Sequence, residues 1–139
     1  MSNEQLAAFE QAVVGRSCTV TRRDHDWWFA FERDDGIAVS TPWRFVSRGV
    51  IALTDSDDKQ WFGLSAPIDA EVRANSLLNG RKVVGVKVDA ATADLCVWFS
   101  DDLKLDLFNN SSGYEGWEAK FTHNENVINI IALGGGGFA

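Results

Sequence analysis

The chain has 139 residues, 45% hydrophobic and 24% charged, the proportions of an ordinary single globular domain rather than of a disordered or fibrous chain. Its net charge of −7 and pI near 4.7 give it a field that repels nucleic acid and anionic lipid and favours basic partners. No apolar run approaches the roughly 20 residues of a membrane span and no stretch has the form of a signal peptide, so a cytoplasmic location is expected.

In chain order, Ser2 and Gln5 have capping-box spacing, and Leu6, Phe9 and Val13 fall on one face of a helix expected over residues 3–14, which Gly15 stops. The period then changes to two, and strands are expected at 17–23, 27–32, 37–40, 43–47 and 50–54. A link at 55–68 follows. Asp69 caps a second helix over 69–78, which Asn79-Gly80 ends, and further strands are expected at 82–89, 95–100, 103–108, 117–121 and 127–133. Leu103, Leu105 and Leu107 alternate with Lys104 and Asp106, so the leucines should point inward and the charged pair toward water. Six Trp and nine Phe suit a sheet-rich core.

The two runs look alike. Gly15-Arg16 and Gly80-Arg81 open them, Asp34-Asp35 and Asp101-Asp102 turn them at nearly the same offset, and Ile51-Ala52-Leu53 and Ile131-Ala132-Leu133 close them. Trp43-Arg44-Phe45 falls loosely opposite residues 114–117. The fold expected is therefore α+β and mostly β: two antiparallel β-meanders, each preceded by a short helix, in one domain over 1–139. Repeat units at 2–54 and 69–133 would then be related by a pseudo-twofold axis and share one core.

Candidate chemistry is sparse. Glu118-x-Lys120 with Asp106 on the preceding strand has the residue order of many metal-dependent nucleases, but an exposed strand face produces the same letters. His25 and His123 sit in turns without a second ligand at metal spacing. Asp55-Ser56-Asp57-Asp58 opens like a calcium loop and then fails, with Lys59 at the fifth position and Gln60 in place of the turn glycine. Gly134 to Gly137 lacks the following helix and the lysine of a phosphate loop, and a close-packed or flexible tail accounts for it. Cys18 and Cys96 read as buried thiols. No catalytic residue, metal site or cofactor is expected.

Leu78-Asn79-Gly80-Arg81, the hairpin at 94–107, Tyr114-Glu115-Gly116-Trp117 and the terminal glycines together resemble a family of small uncharacterised bacterial proteins with a Tyr-Glu-x-Trp motif and a Gly-rich C-terminus. The resemblance covers about residues 77–139 and implies a bacterial cytoplasmic β-rich domain, with no catalytic residue carried over. In character such acidic proteins are similar to immunity proteins that neutralise basic toxins. The leading expectation is a non-catalytic protein-binding domain, an immunity-like inhibitor with a basic protein partner and no nucleic-acid or membrane partner. Its contact would use the acidic turns Asp34, Asp35, Asp55, Asp57, Asp58, Asp101 and Asp102, with Trp61 and Phe62 as apolar anchors unless they only pin the link to the core. The alternative is a small-molecule-binding β-module with Trp27, Trp28, Trp61 or Trp117 lining a cleft, and the third is a metal-dependent hydrolase.

Overall fold

A computed structural model describes residues 3–139; Ser2 of the expected cap lies outside them. Helix α1 spans Asn3–Val13 and α2 spans Ala70–Leu78. Asp69 caps α2 by accepting from the Glu71 and Val72 amides at 3.1 and 3.2 Å. The strands are β1 (Thr19–Arg22), β2 (Trp27–Ala30), β3 (Gly36–Val39), β4 (Trp43–Ser47) and β5 (Val50–Thr54) in the first half. The second half supplies β6 (Val83–Val88), β7 (Leu95–Phe99), β8 (Leu103–Leu107), β9 (Trp117–His123) and β10 (Asn126–Ile131).

All pairings are antiparallel, in two five-stranded sheets ordered β1-β2-β3-β9-β10 and β5-β4-β8-β7-β6. Each half therefore divides after its third strand, and its last two strands cross to the sheet built by the other half. Exchanging β1–β5 with β6–β10 converts one sheet order into the other. The registers correspond too: Val39 faces Trp117 across β3 and β9 as Leu107 faces Trp43 across β8 and β4. Trp43 is thus the counterpart of Trp117 itself, not of the loop before it. Phe45 pairs with Leu53 where Ala119 pairs with Ile130, so the two Ile-Ala-Leu tripeptides do not occupy equivalent places.

The inner faces share one core, where Phe29 of one sheet meets the Trp43 ring of the other edge-on at 5.6 Å. Each helix bridges the free edges of both sheets. Helix α1 packs on β6 and on β9 and β10, placing Phe9 against Trp117 and Phe121. Helix α2 packs on β1 and β5. Asn75 on α2 bonds both the amide and the carbonyl of Val20 at 2.8 Å, and Glu71 accepts from the Arg22 amide at 2.7 Å, so helix side chains occupy the β1 edge that another chain would otherwise pair with.

The sandwich has two unlike ends. One holds four tight turns, each built on successive residues at positive φ: Glu32-Arg33-Asp34, Arg48-Gly49, Asp101-Asp102 and Asn124-Glu125. Such pairs match the strand twist in hairpins, and only Gly accepts them without cost. The other end holds the crossovers, 40–42 and 108–116, the link and the C-terminal tail.

Candidate functional site

The expected acidic residues divide between these ends. Asp34, Asp101 and Asp102 are exposed at the tight-turn end, whereas Asp55, Asp57 and Asp58 belong to the link at the loop end. Asp35 is not an exposed turn acid at all, and that expectation is corrected: it is 3% exposed and bonds Arg16 at 2.5 Å and the Thr122 amide at 3.1 Å. The cause is register. Phe31 bonds Asp35 as Phe99 pairs with Leu103, so the true counterparts of Asp101-Asp102 are Arg33-Asp34, and Asp35 stands at an inward position.

The link acids cap local structure as well as carrying charge. Asp57 accepts from the Thr54 amide at 2.9 Å and Asp55 from the Trp43 amide at 3.2 Å. Asp58 accepts from the Ala70 amide at 2.9 Å and is gripped by Arg22 through Nε at 3.1 Å and Nη2 at 2.7 Å. Burial works against its charge, yet Arg22 and the Ala70 amide hold the carboxyl below its ordinary range.

Beyond these caps the chain makes a closed loop. The Lys59 amide donates to Ile68 O at 2.7 Å, and the Ile68 amide donates to Gln60 O at 2.8 Å, while the buried Ile68 side chain fixes the base to the body. At the tip the Leu64 amide donates to Trp61 O at 2.8 Å, across a turn with Phe62 at φ +45° and Gly63 at +74°. An aromatic residue in the left-handed region is strained, and such strain concentrates where geometry serves function. The turn points apolar surface at solvent: Trp61, Phe62 and Leu64 are 57%, 66% and 45% exposed. They do not pin the link to the core; Ile68 does. Leu64 escaped the sequence reading because a lone leucine after Gly63 carries no periodic signal.

The other sequence candidates disperse. Asp106 and Glu118 lie in different sheets, since β8 and β9 flank a crossover, so the nuclease-like set is not assembled. Asp106 does not face water as its alternation suggested. The stems of Arg44 and Lys104 cover it; it bonds Arg44 at 2.9 Å and accepts from the Cys96 thiol at 2.9 Å. Burial and this carboxylate push the Cys96 thiol up to about 11. Trp117 is in the core, donating to Ala93 O at 2.8 Å; Trp28 lies over Gly36 on an outer sheet face; Trp27 lines a loop-end cleft. The four tryptophans share no cleft. Both cysteines are free, with Cys18 buried. Among the described residues no three His, Cys, Asp or Glu side chains gather to hold a metal ion, and no helix is long and apolar enough to cross a membrane.

Two of the terminal glycines, Gly134 and Gly136, are packing residues. A Cβ on Gly134 would stand 2.3 Å from the Gly113 carbonyl carbon, and one on Gly136 would stand 2.3 Å from Ala91 O. The tail thereby turns back so that Ala139 and Ile131 exchange backbone hydrogen bonds. No family model matches the chain, and no curated protein or solved structure matches it either.

Proposed function

We propose that the chain is a non-catalytic protein-binding domain that captures a basic protein through the loop at 60–68, in the manner of an immunity protein neutralising a basic bacterial toxin in the cytoplasm. The observation that carries this reading is the loop itself. It is closed at its base and turned at its tip, and it holds Trp61, Phe62 and Leu64 out to solvent. Leaving those side chains exposed to water gains little for folding, whereas a partner's pocket would recover their apolar transfer energy at little ordering cost because the loop is already set. Large aromatics surrounded by acidic residues are the anchors expected of such a contact, and the net charge of −7 steers a basic partner toward it.

The test is to identify the protein encoded by the adjacent gene and to co-express it with this chain. Protection from that protein's toxicity by the wild type, lost in Trp61→Ala, supports the proposal. A neighbour that is not basic, or protection that survives loss of both Trp61 and Phe62, contradicts it.

A further inference from the structure

The two halves differ most at their crossovers. The first, at 40–42, is three residues long, and its counterpart at 108–116 is expanded into a loop carrying Tyr114 and Glu115. Between them opens a cleft of about 640 Å³, and Tyr114 in its wall is 83% exposed. A second cleft of about 420 Å³ lies beside it, reaching Asp24, Asp55 and Asp58 at the foot of the link. Ser40 and Thr41 line both clefts, which adjoin there.

The lining is acidic. The two clefts carry five carboxylates, Glu115, Asp24, Asp26, Asp55 and Asp58, against Arg22, Arg23 and the imidazole of His25. Both arginines are already engaged: Arg22 with Asp58 and Asp69, Arg23 with Asp26 through two bonds of 2.6 Å. Asp24, Asp55 and Glu115 make no ion pair with a basic side chain among the described residues. At the junction, Thr41 is only 6% exposed and its hydroxyl has no hydrogen-bond partner within the chain. An acidic wall, an exposed aromatic face and an unmet polar group together suit a cation that brings its own donors.

We infer that this groove holds an extended segment bearing Lys or Arg side chains, contributed by the basic partner whose apolar pocket takes the 60–68 loop, and so the inference rests on the binding role proposed above. One cation sits between the Tyr114 ring and Glu115, and another meets Asp24 and Asp55. Charge complementarity selects this occupant: a neutral polyol can donate hydrogen bonds to three unpaired carboxylates but leaves their charge uncompensated, and an acidic segment is repelled by them.

Pentalysine, titrated into the 15N-labelled protein at low salt, is the probe. Saturable shifts confined to residues 24–26, 40–42, 55–58 and 110–116 are expected. Glu115→Gln with Asp24→Asn should weaken pentalysine binding about tenfold, while Asp101→Asn with Asp102→Asn, which removes the same charge at the far end, should change it less than about twofold. Equal losses in the two variants, shifts spread over all acidic turns, or no saturable binding overturns the groove. Trp61→Ala should leave pentalysine binding unchanged while abolishing protection against the protein partner. Failure of the groove and failure of the loop are thereby read separately.

Discussion

The two ends of the sandwich are built from equivalent elements of the two halves and have come to opposite solutions. At the tight-turn end the polar groups are consumed internally: Arg16 bonds Phe31 O, Thr122 O and the buried Asp35, and Arg81 bonds Leu77 O, Ser100 O and Asp101 O. At the loop end, by contrast, apolar rings stand in water, and the Thr41 hydroxyl and Trp43 Nε1 are buried without hydrogen bonds. Trp117, the counterpart of Trp43, has its indole satisfied by Ala93 O. The difference supports the proposal that the loop end, and not the tight-turn end, is the contact surface.

Even within the stable end the halves differ, and that difference can be broken by mutation. Arg16 faces a buried carboxylate, whereas the position matching Asp35 is Leu103 beside Arg81. Arg16→Ala strands the Asp35 charge and should cost about 3–5 kcal/mol in denaturant melts. Arg81→Ala loses only bonds to carbonyls and should cost about 1–2 kcal/mol. Equal costs would show that the Asp35 pair has no special weight. Leu105→Ala should cost about 2–5 kcal/mol as a core truncation, against less than about 1 for Lys104→Ala, whose ammonium makes a 3.5 Å contact with Asp106.

Acid should act first on the tight-turn end. The Ser17 hydroxyl and amide, bonding Glu32 at 2.7 and 3.0 Å with Lys82 nearby, lower its carboxyl from 4.5 to about 2. A carboxyl depressed on folding stabilises above its ordinary value, and that contribution is lost as pH falls from about 4.5 through about 2. Because Glu32 is exposed, solvent limits the effect to about 1 kcal/mol or less. Glu32→Gln should therefore flatten stability against pH in that window while leaving the slope above pH 5 unchanged. The smallest effect is expected from Asp101→Lys with Asp102→Lys. Stability should move by less than about 0.5 kcal/mol, and association with the basic partner should slow only a few-fold, since these charges lie opposite the contact. A large loss of binding there would relocate the interface.

Much of this fold was legible because it is carried by local signals. The ten strands and two helices follow from period-two alternation, Gly15 and Gly80 as stops, and Asp69 as a cap. The division of each half between two sheets was not legible, since β3 and β4 read the same whether they pair or part at Ser40 to Pro42. Two errors about charge share one origin: Asp35 and Asp106 look like surface acids by letter and alternation, and only long-range contact with Arg16 and Arg44 shows them covered. For the site, Trp61 and Phe62 were visible as an apolar pair in a polar link, with contact and pinning to the core both left open. Leu64 and the Tyr114-Glu115 cleft depend on a turn and on two crossovers meeting in space, which no sequence spacing records.

The central claim is that the 60–68 loop serves contact and not folding. Its most direct test is the double variant Trp61→Ala with Phe62→Ala, followed by thermal melting and by titration with the basic partner. The account predicts a melting temperature within about 2 °C of wild type, because exposed side chains contribute little to folding. It also predicts binding weakened at least about 30-fold, equivalent to about 2 kcal/mol. A clearly lowered melting temperature with binding intact would contradict it.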